Sequence, residues 1–267
     1  MAKTTGFIQR QRKFSAFEFV LLMTIGQTSM VHPSLSGMVE AVRSRISRVA
    51  LHLRFTAQSV EFLLACLKMV LEYSVRPASI TPAALDAFKR VHIFDSSSWD
   101  IDPKLKHVLP GSGGGASDAN CKVQAGYEYK SGSLGFFALT EGIKPDQAYS
   151  NCLVDFAQKG DLMLTDLGYF KLSVFQQITA KGAYFLSKLL IGTTLLNADT
   201  SEKIDLRATL RSFVGNTLEM NVILGNDKHP VPCRLIGFRA TKQIADTRRR
   251  KLRKEAKKKG RTPSKNH

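Results

Sequence analysis

Apolar side chains recur at helical spacing through the first eighty residues and at strand spacing beyond them. Leu35, Met38, Val39, Val42, Ile46 and Val49 form one series, and Val60, Leu63, Leu64, Leu67, Val70 and Leu71 form a second. A repeat every three or four positions lines one face of an α-helix. Thr56, ahead of the second series, carries the hydroxyl with which an N-cap accepts a backbone N–H. The first series divides further. Residues 35–41 make a short helix, Arg43-Ser44-Arg45-Ile46 a tight turn, and Ser47 the cap of another helix reaching Phe55.

Arg76-Pro77 through Pro82 breaks the helical repeat and reads as a linker. The period then changes. Residues 91–94 are a short apolar strand, and 122–129 and 134–140 are β-rich segments joined by Lys130-Ser131-Gly132-Ser133 into a hairpin. The spacing predicts helices over 144–159, stopped by Gly160, and 171–180, with the second aspartate strand between them and another strand at 183–190. A β-β-β-α-β-α-β order results, in which a hairpin opens a mixed sheet and crossovers complete it. Residues 206–210, 217–224 and 231–239 then read as antiparallel strands, and 243–259 as a strongly basic helix. The fold class is α/β.

Composition permits one large domain or two modest ones with real cores: 267 residues, 43% hydrophobic. Lys+Arg 39 against Asp+Glu 22 gives a net charge of +17, which points to a polyanionic partner, most commonly nucleic acid. About +10 of this lies between Lys242 and Lys265. Cys66, Cys121, Cys152 and Cys233 lack C-x-x-C or zinc-ligand spacing and read as reduced thiols. Basic residues ahead of the apolar run 14–25 superficially resemble a signal peptide, but Glu18 interrupts the run and no A-x-A-like site follows. No uncharged apolar stretch of about 18 residues occurs, so no membrane association is expected. The expectation is a soluble, cytoplasmic protein.

Two segments are candidates for contacting double-stranded DNA. The helix, turn and helix over 35–55 have the layout of a helix-turn-helix, with Arg48, His52 and Arg54 reaching base edges and Arg43 and Arg45 on phosphate. An ordinary helical pair whose arginines face water has the same pattern. In the basic tail, Arg248, Arg249, Arg250, Lys251, Arg253 and Lys254 could bind phosphate, or form a solvated connector with incidental affinity. The glycine-rich segment 109–118 lacks G-x-x-x-x-G-K-[ST] and a following helix, so it reads as a loop near the active face rather than a nucleotide cradle.

The candidate chemistry lies in two carboxylates. Asp95 ends the apolar run Val91-His92-Ile93-Phe94, and Asp166 ends Leu162-Met163-Leu164-Thr165. Both are expected at the C-terminal edge of one sheet. Divalent-metal cleavage of phosphodiesters needs clustered hard oxygen ligands, so that ions about 3.5–4 Å apart activate the attacking oxygen and stabilise the leaving one. An isolated strand-end aspartate is otherwise a turn-forming or capping residue.

Several segments together resemble the DDE transposases of bacterial insertion sequences, in the IS-four group. They are Ile93-Phe94-Asp95-Ser96-Ser97, the glycine-rich segment 109–118, residues 122–132, Asp166-Leu167-Gly168-Tyr169-Phe170, Gly182-Ala183-Tyr184-Phe185-Leu186-Ser187-Lys188 and the basic end. The family more often has arginine at the position of Lys188. The resemblance implies a helical N-terminal DNA-binding region (1–80), a ribonuclease-H-like catalytic core (88–192), a β-rich insertion (193–240) and a basic helical tail (241–267). It makes Asp95 and Asp166 the first two catalytic carboxylates, holding Mg²⁺ or Mn²⁺. The family's third carboxylate lies in Y-x2-R-x3-E-x6-K on a helix after the insertion. Glu202, Glu219 and Glu255 lack the flanking tyrosine and arginine, and Tyr73 to Arg76 is followed by Ile80 where glutamate should stand. The expectation is therefore a truncated or split transposase, with part of the core missing. It would act on transposon ends as a homodimer or with a complementing C-terminal polypeptide, or serve as a non-catalytic DNA-binding repressor.

Overall fold

The computed structural model describes residues 1–10, 14–28, 34–41, 46–74, 82–113, 117–258 and 260. Four helices open the chain: α1 (Ala16–Thr28), α2 (Leu35–Ala41), α3 (Arg48–His52) and α4 (Ala57–Ser74). Phe7, Phe14, Phe19, Leu22, Met38, Leu51 and Phe62 form their shared core. Each of these apolar side chains adds about 1.5–3 kcal/mol when fully buried. Glu18, which interrupts the apolar run, starts α1: it accepts from Ser15 N at 2.8 Å while Ser15 Oγ accepts from Glu18 N at 3.1 Å. This reciprocal arrangement is a capping box.

Ser47 caps α3 as expected, accepting from Ala50 N at 3.2 Å. The helix ends at His52, however, short of the expected Phe55. Arg54 N and Phe55 N turn to the carbonyls three residues back, Leu51 O and His52 O. That tightening ends a helix, and Thr56 and Ser59 cap α4 immediately afterwards. Arg43 and Arg45 lie outside the described residues.

The main sheet contains β1 (Val91–Asp100), β2 (Asn120–Glu128), β3 (Ser133–Glu141), β4 (Leu162–Thr165) and β5 (Tyr184–Ser187), in the order β3-β2-β1-β4-β5. β2 and β3 run antiparallel, as do β1 and β2, whereas β1, β4 and β5 are parallel. This is the expected ribonuclease-H-like mixed sheet, entered by a hairpin and completed by crossovers. The first crossover, expected as one helix over 144–159, is a 3-10 turn (Asp146–Tyr149) followed by α5 (Asn151–Phe156). Buried Ser150 divides them, its hydroxyl donating to Gln147 O at 2.8 Å and Tyr169 O at 3.2 Å, a side-chain bond that competes with continuous helix. The second crossover is α6 (Leu172–Ala180).

β6 (Leu195–Asn197), β7 (Thr217–Leu224) and β8 (Val231–Phe238) form a second, antiparallel sheet. Residues 206–210, expected as a strand, instead begin α7 (Leu206–Ser212). Asp205 decides this by accepting from Arg207 N and Ala208 N at 3.0 and 3.1 Å, an N-cap that outweighs an ambiguous short apolar pattern. Leu195, Val222, Leu224 and Val231 join Phe94, Leu153, Met163, Phe175 and Ile178 in one core, so the second sheet shares the apolar interior beneath α5 and α6. α8 (Lys242–Lys258) closes the described chain, with Ile244 and Leu252 exposed.

The four cysteines are free thiols. Burial pushes Cys152 and Cys233 up to about 11, so neither is a ready nucleophile at neutral pH. Among the described residues no helix is long and apolar enough to cross a membrane.

Candidate active site

Parallel pairing of β1 with β4 ends at Phe94 and Thr165, and the next position on each strand is an aspartate. Asp95 is not at the end of its strand, as the sequence suggested. β1 continues to Asp100, held by β2 through the pair Asp100 and Asn120. What ends at Asp95 is the parallel neighbour: β4 stops at Thr165, and Asp166 leaves the sheet. Asp95, inside β1, and Asp166, just past the end of β4, therefore lie on adjacent strands, whose usual separation is about 4.8 Å.

Local hydrogen bonds hold both carboxylates. Asp95 Oδ1 accepts from Ser96 N at 2.8 Å. Asp166 Oδ1 accepts from Gly168 N at 2.8 Å and caps the 3-10 turn Leu167–Tyr169. Both residues are exposed, and each commits one oxygen to its own chain. Two hard oxygen donors fit Mg²⁺, which is commonly held by one or two carboxylates with waters and substrate phosphates completing the octahedron. Among the described residues no group of three His, Cys, Asp or Glu side chains is arranged around one metal position.

A polar network that the sequence reading missed lies beside this pair. Asp146, in the turn after β3, accepts from Gln124 Nε2 at 2.9 Å and Lys122 Nζ at 3.1 Å. Gln124, fully buried, accepts from the Tyr169 hydroxyl. Burial works against the ionised form of Asp146, but hydrogen bonds from Gln124, Ser96 and Lys122 outweigh it and hold the carboxyl below its ordinary value. Burial, then the negative charge of Asp146, raises the Tyr169 hydroxyl well above a phenol's usual range, with Asp95 and Asp166 adding to the effect. The one sequence cue was a glutamine alternating with small and apolar residues on a central strand.

The candidate DNA contacts that the structure describes are carried by two elements distant in sequence, α3 with the turn after it and α8. Arg48 and His52 are exposed on α3. Arg54 follows the helix and lies 5.7 Å from the centre of the Phe14 ring, a cation–π contact that turns it toward the protein. Arg248, Arg249, Arg250, Lys251, Arg253 and Lys254 are exposed along α8, where Arg249 pairs with Asp246 at 3.1 Å. Glu219 pairs with Arg234 on the second sheet, Glu202 lies in a turn with Thr200, and Glu255 is exposed on α8.

The family described as Transposase DDE domain matches residues 86–266. The transposase for insertion sequence element IS231B of Bacillus thuringiensis subsp. berliner is 29% identical over 280 residues, covering 97% of this chain and 59% of its own length. That for IS1151 of Clostridium perfringens is 28% identical, covering 91% and 56%. The chain thus spans under two thirds of the length of these curated relatives. Among solved structures, the piggyBac transposase synaptic complex with hairpin DNA overlaps 96% of this chain and 63% of that one, at 10% identity and a TM-score of 0.41. That overlap is too weak to bear on function. The DDE domain brings with it a general dependence on divalent metal. With a family match over most of its length, and insertion-sequence transposases as relatives across nearly all of it, the chain belongs to the Transposase DDE domain family.

Proposed function

We propose that this chain is a transposase polypeptide that binds the ends of an insertion element and contributes two of the carboxylates that cut and join DNA. The observation that carries this reading is the placement of Asp95 and Asp166 immediately beyond the last parallel pair of β1 and β4. Both would hold Mg²⁺, or Mn²⁺, which when bound activates the attacking oxygen and stabilises the leaving one. The chain's own part is to orient these carboxylates through Ser96 N and Gly168 N. Arg48 and His52 on α3 and the cations of α8 would contact duplex DNA, the N-terminal helices and the tail serving as DNA-binding regions around the core. Action in the cytoplasm fits this role.

A third carboxylate would come from a complementing C-terminal polypeptide or a second copy. Support lies on the sheet face that leads to the aspartates. Ile93, Leu164 and Leu186 stand in one register row, and Val91, Leu162 and Tyr184 in another. Tyr184 and Leu186 are 55% and 57% exposed, so an apolar segment laid there would be covered beside the site.

Metal uptake and DNA cleavage separate the parts of this reading. The purified chain should bind Mn²⁺, and Asp95→Ala and Asp166→Ala should each weaken that binding by about tenfold or more. With a third carboxylate present beside this pair, nicking of DNA carrying the element's ends should appear, and it should vanish with Asp95→Ala. Mn²⁺ uptake indifferent to both substitutions would overturn the site assignment.

A further inference from the structure

The carboxylate of Asp146 lies against the turn that bears Asp166. A Cβ built on Gly168 would lie 2.9 Å from Asp146 Oδ2 and 3.0 Å from Asp166 Oδ1. The two carboxylates therefore approach the same side of one glycine, closer than any side chain there would allow. Asp146 Oδ1 faces the other way, toward Gln124 and Lys122.

These contacts reach both aspartates of the site. On one side, Ser96 is paired directly with Gln124, the donor to Asp146, while its backbone N–H holds the Asp95 carboxylate. On the other, Gln124 links Asp146 to the Tyr169 hydroxyl, and Tyr169 ends the turn that Asp166 caps. Gln124 is 0% exposed and Tyr169 1%. A buried amide that loses its acceptor is left unsatisfied and shut off from water, so this chain of bonds resists rearrangement. Lys122 is close enough to offset the charge of Asp146, which suits a structural carboxylate better than a metal ligand.

We infer that Asp146 is a positioning residue: through Ser96 and through Gln124 and Tyr169 it fixes the separation of the Asp95 and Asp166 segments. The inference rests on the proposal that those two aspartates bind metal, but its geometric content can be read without metal. Groups behind first ligands commonly set metal affinity by about 10–100-fold, because they hold the ligands at bonding distance.

The test uses the full chain with Asp146→Ala, Asp146→Asn and, as a control, Asp161→Asn. Asp161 lies at the opposite end of β4, bonded to Arg90. Amide hydrogen exchange at Ser96 and Gly168 is followed without metal, and Mn²⁺ affinity by electron paramagnetic resonance. Asp146→Ala should speed exchange at both amides and weaken Mn²⁺ binding by about tenfold. Asp146→Asn keeps an oxygen facing Gln124 and Lys122, and should restore most of both. Asp161→Asn should lower Tm and leave both readouts unchanged. Wild-type exchange at the two amides in Asp146→Ala overturns the proposal. So does an Asp146→Asn variant that loses Mn²⁺ as fully as Asp166→Ala with undisturbed amides, the behaviour of a direct ligand. If the wild-type chain takes up no Mn²⁺, the metal reading fails separately, and exchange at the two amides still decides the positioning role.

Discussion

The Phe94 ring lies across Gly126 on the neighbouring strand, so closely that a Cβ at position 126 would sit 2.6 Å from Phe94 Cε1. The two residues are directly paired, and Phe136 closes the space from the third strand. Phe94 is thereby fixed one residue before Asp95, with Phe136 and Phe156 around it. Gly126→Ala should destabilise the protein by about 1–3 kcal/mol through overpacking. A urea midpoint equal to that of wild type would refute this reading.

Glu128 ties the foot of the hairpin to β1. Its carboxylate accepts from Val91 N and Lys130 N at 3.0 Å each and from Ser131 N at 2.6 Å. Burial opposes its charge, but these bonds prevail and keep its pKa below the ordinary value. Glu128→Ala would leave a buried strand N–H without an acceptor, at a cost on the order of 3 kcal/mol. Chemical denaturation measures this directly, and a destabilisation under about 1 kcal/mol would mean that water replaces the carboxylate.

His92 gives the fold a defined acid sensitivity. Burial lowers its pKa more than Asp161, 3.7 Å away, raises it; Arg90 adds to the lowering and Glu128 opposes it. Its Nε2 has no hydrogen-bond partner, which also fits a neutral ring. The unfolded chain takes up a proton near pH 6.5 that the native state refuses. Stability from this group is therefore complete above about pH 6.5 and declines as pH falls, until native His92 is itself protonated. Its slope cannot exceed about 1.4 kcal/mol per pH unit. His92→Phe should flatten the profile of Tm between pH 7.5 and 5, as set by that linkage; parallel profiles for the two proteins would argue against it.

Salt dependence should report the role of α8. If Arg248, Arg250 and Lys251 meet phosphates, replacing each with Ala should reduce the slope of log affinity for duplex DNA against log salt by about 0.9 for every phosphate no longer neutralised. Arg249, paired with Asp246, should contribute least. Mn²⁺ affinity should not change. Three variants with the wild-type slope would leave α8 as a solvated connector.

Much of this architecture follows from local pattern. The hairpin, the two crossovers and the aspartates were legible because apolar runs, turn residues and helix caps act over a few positions. Residues 206–210 show the limit: two leucines four apart suit either a helix or a short strand, and the bonds made by Asp205 choose the helix. The helix expected to reach Phe55 fails similarly, stopped by the capping pair of the next helix.

The sequence alone determined the element order through the main sheet and the two carboxylates that carry the family resemblance. Tertiary structure decided what surrounds them. Asp95 proved to lie within a strand, at the point where one neighbour ends, because β2 extends the sheet past β4. Asp146 and Gln124 entered the site from residues with no distinctive local signal. Such contacts depend on register between strands distant in sequence, which spacing along one segment cannot encode.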